Sequence, residues 1–350
     1  MNLTQFINQM GGFGALLDTN KVNDIFPYTS TARADLWGLQ RLGAAKEYDG
    51  RKIRIRAQEP IKGVSLLNSQ GSGPNILDKL GWQDKEIGSI RVDEAVQFTG
   101  NDIIDIVSAL RGEKSEKELN AIATNIITNV SQMPTRRDRL VEKMFWDSAL
   151  GSVTLAVHNS TAPITYTTGT TQLATPANLW SDTANSDPFV DLIQMHKQMR
   201  QDGFVPEVQV MNATTYEWLT RSESVIRALT SEKREEVRQG TVMETIGKVP
   251  LVVYEGSYAD ENGVRQPYLP DGKVVLFARD DNAMYNNMEL YATANPDITG
   301  ELADMDVVYG EFFYVATEGR PKPTAVTYGY SFNGAVGVVN PKSIIYRTVL

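Results

Sequence analysis

Residues 51–56, RKIRIR, alternate basic and apolar side chains, and residues 89–98, SIRVDEAVQF, alternate again. A period of two places Ile53 and Ile55 on one face of a strand and Arg54 and Arg56 on the other. Ile90 and Val92 share a face in the second segment. Between the two lies SQGSGPN, a sequence suited to a flexible tip. The simplest reading is one hairpin-like excursion over about residues 50–98. Its polar faces leave it little to pack on within its own chain. It is therefore either a lid or a limb that reaches a neighbour.

The segment before it is no more self-sufficient. NLTQFINQM permits a short amphipathic helix, but Gly11, Gly12, Gly14 and Pro27 interrupt it. Residues 1–45 show no sustained apolar face and are expected to lie along another surface as an arm. Residues 115–133 carry the clearest helix. Ser115 and Glu118 have capping-box spacing, and Leu119, Ile122, Ile126, Val130 and Met133 form one stripe. Pro134 is expected to break or kink it. A second helical run follows, with Leu140, Val141, Met144 and Phe145 on one face.

Residues 151–175 are rich in Thr and Val and read as short strands and turns. Asp187-Pro188 should start a helix lined by Leu192, Met195 and Met199 and closed by Gly203. EVQVMN reads as a strand, with Asn212 capping a helix through Trp218 and Leu219, and ESVIRALTSEKREEVRQG as more helix. VPLVVYEG and KVVLFA read as buried strands. Between them, Asn262-Gly263 and Pro270-Asp271-Gly272 supply turns, the first with positive φ angles, so a polar hairpin tip should project from the surface. The C-terminal segment is strand-rich, with Asn333-Gly334 expected as a two-residue turn. The fold class is mixed α+β, without internal repeats.

Composition removes several function classes. The chain has 350 residues, no cysteine, two histidines (His158 and His196) and a net charge of -9. Thiolate nucleophiles and cysteine-ligated zinc are excluded. An acidic chain is a poor candidate for tight phosphate neutralisation, although it can enclose DNA without gripping it. No apolar run reaches the ~18 residues of a membrane-spanning helix. The N-terminal residues do not read as a signal peptide, so the chain is expected to work where it is made.

The candidate sites are weak. GGFG at 11–14 lacks the strand and the GK[ST] of a phosphate loop. His196 and His158 match no metal motif and read as structural or surface residues. Asp260, Glu261 and Asp280-Asp281 fit turn or cap chemistry better than a calcium loop. Arg136, Arg137 and Arg139 form the densest basic cluster; they either contact a polyanion or form a solvated face paired with acids, and the second reading is favoured. Acid/base chemistry by carboxylates is not excluded by residue type, but nothing points to it. No catalytic set, cofactor or metal site is expected.

One stretch carries a resemblance. Residues 249–277 run from an apolar strand through Tyr254, Gly256 and Tyr258 into an acidic hairpin with Asn262 and Gly263, then through Leu269, Pro270 and Asp271 into another apolar strand. Upstream, Trp180, Asp187, Pro188, Gly203, Pro206, Asn212, Trp218 and Leu219 follow in a matching order. Over residues 180–280 the sequence resembles the phage lambda-type major capsid proteins. Over residues 1–180 the likeness is one of element order only.

The resemblance implies the Hong Kong 97-type capsid fold: an N-terminal arm (1–45), an extended E-loop (46–98), a peripheral domain with a spine helix (99–187), an axial domain (188–310) and a return to the peripheral domain (311–350). It implies a major capsid protein of a tailed double-stranded DNA phage, assembled in the host cytoplasm into the hexamers and pentamers of an icosahedral virion shell. A shell protein of a cellular nanocompartment with the same fold is the alternative; a hydrolase using acidic residues is a weaker one. Arg51, Lys52, Arg54, Arg56, Asp93 and Glu94 become candidates for contact between subunits. Tyr254, Tyr258, Asn262, Gly263, Leu269, Pro270 and Asp271 become an axial-domain hairpin, and Arg136, Arg137 and Arg139 candidates to face DNA. Partners implied are the chain itself, a separate scaffolding protein, a portal, a decoration protein and packaged DNA held non-specifically, with no membrane. Some proteins of this fold are cross-linked through lysine; Lys52, Lys62 and Lys79 lie in the presumed loop, but no cross-link is expected.

Overall fold

Strand alternation decides the architecture, because one six-stranded sheet is buried on both faces. The structure, a computed structural model, describes residues 16, 18, 21–22, 35–50, 52–58, 82–157, 162–229, 243–260, 262–279, 287–294, 309–318 and 324–350. In chain order, α1 (Trp37–Leu42) leads to β1 (Lys46–Tyr48), β2 (Lys52–Gln58), β3 (Trp82–Gly88) and β4 (Ile90–Thr99). Three helices follow: α2 (Asn101–Leu110), α3 (Glu116–Val130) and α4 (Gln132–Ala149). Then come β5 (Ser152–Leu155), β6 (Ile164–Thr167), β7 (Thr171–Leu173), α5 (Pro188–Gln201), β8 (Pro206–Met211), α6 (Ala213–Arg221) and α7 (Glu223–Ala228). The rest is β9 (Thr245–Ile246), β10 (Val249–Val253), β11 (Ser257–Ala259), β12 (Arg265–Pro267), β13 (Lys273–Ala278), β14 (Met288–Thr293), β15 (Glu311–Glu318), β16 (Ala325–Val338) and β17 (Ile344–Thr348).

The six-stranded sheet has the order β7-β17-β13-β8-β10-β9. Val208, Val210, Val275, Phe277 and Ile344 pack on its α4 face with Phe145 and Trp146. Their neighbours in sequence, Met211, Val274, Leu276, Ala278 and Ile345, pack on the other face with Leu192, Met195 and Met199 of α5 and Leu219 of α6. The period of two thus feeds two core layers from one set of strands. The five-stranded sheet is built on β16, which pairs with β4 and β15 along its first part and with β14 at its end.

The helix starts read from sequence are present. Ser115 accepts from the Glu118 amide, and Glu118 accepts from the Ser115 amide. Asp187 caps α5 through the Val190 amide and Asn212 caps α6 through the Thr215 amide. The break near Pro134 lies earlier than expected. α3 stops at Val130 and Pro134 sits in the first turn of α4. Proline lacks the N–H that the Val130 carbonyl would accept, and its ring crowds that carbonyl, so the helix breaks four residues upstream.

Other expectations are corrected. SIRVDEAVQF does not pair with RKIRIR. The partner of β2 is β3, and β4 pairs with β16 over Ile90–Thr99. Alternation identifies a strand but not its partner, and WQDKEIG has too few apolar residues to show a period. The root of the excursion also packs on its own chain. Ile53, Ile55 and Ile87 are buried against Tyr291, Ala335 and Val339.

Asn333-Gly334 is not a turn. It lies inside β16, opposite Arg91 and Ile90 of β4. A Cβ on Gly334 would stand 2.4 Å from the Tyr291 carbonyl oxygen, so the glycine serves close approach between strands. At Asn262-Gly263 only Gly263 has positive φ (76°), so a two-residue turn of the expected kind does not form. The loop is held instead by Asp260, whose carboxylate accepts from the Asn262 and Val264 amides, both at 2.9 Å. Nor is all of the 1–45 segment an unattached arm: Leu16, Val22, Leu36 and Leu42 are buried in the chain's own core.

Several expectations lie outside the described residues. They are the helix at 2–10, GGFG, Pro27, Arg51, the SQGSGPN tip with Lys62 and Lys79, His158, residues 230–240 of the proposed further helix, Glu261 and Asp280-Asp281.

Candidate functional site

The most organised polar site is a single buried carboxylate that ties the N-terminal segment to the rest of the chain. Glu142 lies on α4 and is fully buried. Its Oε1 accepts from the Gly38 amide (3.0 Å), the Trp146 indole (2.7 Å) and the Tyr254 hydroxyl (2.7 Å). Its Oε2 accepts from the Leu39 amide (2.7 Å). A buried carboxylate persists when its lone pairs are filled in this way. The two amides belong to the first turn of α1, whose N-cap residue, Leu36, has no side-chain acceptor to offer. Glu142 therefore supplies the missing cap from a distant part of the sequence. Gly38 permits the approach, since a Cβ there would meet Phe145 Cδ1 at 2.4 Å.

Aromatic rings continue the connection. Trp37 stacks on Trp146 (centroids 5.5 Å apart) and Trp146 on Tyr254 (5.0 Å). Tyr254 then meets Tyr268, which meets Tyr258 (5.2 Å). Such pairs contribute about 0.5–1.5 kcal/mol beyond area burial. Burial, and then the Glu142 carboxylate, hold the Tyr254 phenol well above its ordinary value, so it stays a donor. Arg41 at the end of α1 lies over the Trp37 and Phe277 rings, pairs with Glu207 and donates to the Ala278 carbonyl (3.2 Å).

The hairpin residues read from sequence thus divide. Tyr254 and Leu269 are buried, Tyr258 is half-buried, and Asn262, Gly263 and Pro270 are exposed. Asp271 accepts from Asn212, which also donates to the Leu269 carbonyl (3.1 Å) while capping α6.

The candidate contact residues sit at two places. Lys52 and Arg54 project from the exposed face of β2 and pair with Glu86 of β3 (3.7 and 2.9 Å). Arg56 lies on the same strand. Asp93 is exposed on β4 beside Arg91. Glu94 points the other way, to Arg136 of α4 (3.2 Å). Burial raises its carboxyl above the ordinary range, and Arg136 opposes that rise. The arginine cluster is likewise split. Arg137 pairs with Asp138 and Glu311, donates to the Tyr330 hydroxyl (3.1 Å) and covers the Phe332 ring, tying α4 to β15 and β16. Arg139 is exposed.

His196 is buried and bonds Gln209 of β8 (3.1 Å); burial lowers its basicity. Among the described residues no group of three or more His, Asp or Glu is placed to hold a metal ion, and no helix is long and apolar enough to cross a membrane. Sequence reasoning missed Glu142 and Trp146. The available signal was a lone acid on an apolar helix face, at spacings of three and four from Phe145 and Trp146.

The sequence profile of a family described as phage major capsid protein E matches residues 38–326. The chain belongs to that family. It is a phage major capsid protein, a structural subunit that assembles with copies of itself into the icosahedral shell of the phage head. Its place is the virion.

Among solved structures, the capsid protein is similar to a chain described as a prophage capsid protein from E. coli CFT073. They share 13% identity and a TM-score of 0.57, over 95% of this chain and 99% of that one. The fold is the Hong Kong 97 type. The capsid of cyanophage P-SCSP1u matches at 12% identity and a TM-score of 0.48, over 95% of this chain and 97% of that one. A phage-related protein of Bordetella bronchiseptica RB50 matches at 12% and 0.49, over 91% and 93%. No curated protein sequence matches the capsid protein.

Proposed function

We propose that this capsid protein encloses the double-stranded DNA of a tailed phage. It would assemble in the host cytoplasm as hexamers and pentamers, guided by a separate scaffolding protein and joined to a portal, with or without a decoration protein. Its role is structural rather than enzymatic. The division proposed is an arm at 1–45, an E-loop at 46–98, a peripheral domain at 99–187, an axial domain at 188–310 and a return to the peripheral domain at 311–350. In that division the six-stranded sheet is shared, because β17 pairs with β13.

The observation that carries the reading is the match of residues 38–326 to the phage major capsid protein E family. The Glu142 anchor is compatible with it, since it fixes the angle at which the N-terminal segment leaves the core. Lys52, Arg54, Arg56, Asp93 and Glu94, with Arg51, are proposed to face neighbouring subunits. Packaged DNA is proposed to lie near Arg136, Arg137 and Arg139, chiefly Arg139, since the other two are engaged with Glu94 and Glu311. So few free cations give weak, non-specific phosphate contact.

Electron microscopy of the native fraction containing the chain tests this reading. Uniform icosahedral shells with nucleic acid inside are expected. Small single particles from native material would sink it, and shells filled with protein would favour the nanocompartment.

A further inference from the structure

The surface carries a knob and a hole that a single copy cannot bring together. The outer face of α5 is unusual for a solvated helix. Val190 and Ile193 are 47% and 51% exposed there, and Lys197 and Arg200 continue the same face. Beside it lies an open cleft of about 580 Å³, lined by Ile193, His196, Lys197, Arg200, Gln201 and Gly247. Gly247 has positive φ, and a Cβ there would stand 3.1 Å from His196 Nδ1, so the cleft stays open where a side chain would fill it. Its lining combines the apolar Ile193 with the basic Lys197 and Arg200. Neither Lys197 nor Arg200 has an ion-pair partner among the described residues.

The counterpart is the tip of the β11–β12 hairpin. Val264 is 54% exposed at a loop tip, where polar residues are the rule. Asp260 lies beside it. The Val264 and Asn262 amides and the Gln266 side chain hold its carboxyl below the ordinary range, so it is ionised. Glu255, at the hairpin's base, is exposed and has no ion-pair partner among the described residues. The knob is thus an apolar tip with Asp260 beside it and Arg265 turned back onto the Ser257 hydroxyl (2.7 Å), and the hole sets Ile193 beside Lys197 and Arg200.

Their placement settles which copies can meet. The hairpin springs from the α4 side of the six-stranded sheet, where Tyr254, Tyr258 and Tyr268 pack. α5 covers the opposite side. Three-residue strands extend only about 10 Å, too short to carry the tip around the sheet. Two different, complementary patches on opposite sides of one subunit form a head-to-tail contact, which closes into a ring when the rotation permits. We propose that the Val264 hairpin tip of one copy seats in the α5–Gly247 cleft of the next, with Asp260 against Lys197 and Arg200. This rests on the shell-forming reading above.

The absence of cysteine makes a clean test. A chain carrying both Ile193→Cys and Val264→Cys is assembled and treated with a short bis-maleimide. A ladder of covalent oligomers on a denaturing gel is expected, with each single-cysteine variant remaining monomeric. Double-variant particles that stay monomeric, or single variants that cross-link, would overturn the contact. Val264→Asp gives a second measurement. The site is exposed, so far-ultraviolet circular dichroism should be unchanged while particle yield falls at least tenfold; an unchanged yield would also overturn it. If the unmodified chain forms no particles under the same conditions, the shell reading fails, which is a different result from either.

Discussion

The N-terminal segment and the β2–β3 loop leave the core near one another in sequence, and opposite physics holds them. The first is fixed by direction. Four donors converge on Glu142, and Trp37 stacks on Trp146. Hydrogen bonds and ring stacks specify angles, so α1 has one orientation. The second is fixed by area. Ile53, Ile55 and Ile87 sit against Tyr291, Ala335 and Val339, and above them Lys52 and Arg54 pair with Glu86 across the hairpin. Burial of apolar surface is non-directional. The root of one extension is a set angle; the root of the other is a greased seat.

The most severe way to break that contrast is Glu142→Ala. It leaves two amides, an indole and a phenol without an acceptor in the core, and unfolding in urea should show a loss of about 3–5 kcal/mol. Limited proteolysis should cut between residues 36 and 42 before the rest of the chain unfolds. A loss under ~1 kcal/mol would mean that the rings alone fix the segment.

Ile55→Ala should cost about 2–4 kcal/mol, because it removes buried carbon and leaves a cavity. Its effect should be local, exposing β2 and β3 to hydrogen exchange while α1 stays protected. Gly337 sharpens this expectation, since a Cβ there would stand 2.3 Å from Ile55 Cδ1; the seat is shaped around that side chain.

The surface pair should matter least to stability. A double-mutant cycle on Arg54 and Glu86 is expected to give about 0.2–1 kcal/mol, fading at high salt. A coupling that survives 1 M salt would show that the loop root also has directional support.

Glu94 tests the neighbouring strand by pH. Its carboxyl is raised in the folded state, by burial first. A raised carboxyl contributes stability below its unfolded value, near 4.5, and loses that contribution as pH rises through the folded value. Glu94→Gln should therefore flatten the decline in stability above pH 4.5. An unchanged slope would assign that decline to other buried acids, such as Asp147 or Asp191, which are raised by the same cause.

What could be read in the sequence was local. Caps at Ser115, Asp187 and Asn212, and strands at 206–211, 249–253 and 273–278, are written in adjacent residues and formed as expected. What could not be read was pairing between distant parts. Nothing in SIRVDEAVQF names β16 as its partner. Nothing in Asn333-Gly334 distinguishes a turn from a glycine placed for strand contact. Glu142 is the sharpest case. Its role depends on two backbone amides more than a hundred residues earlier, and backbone amides leave no mark in a sequence.

The ten-residue ladder between β4 and β16 has a mechanical consequence. β4 carries the chain out of the loop and directly into the five-stranded sheet. If the loop bears contacts between neighbouring subunits, as proposed above, tension on it would run along β4. The ladder bonds lie across that direction. They are therefore loaded together in shear, as the stitches of a lap seam are, instead of opening one after another. On that proposal, the strand that ends the loop would also be the splice through which each subunit bears its share of the load.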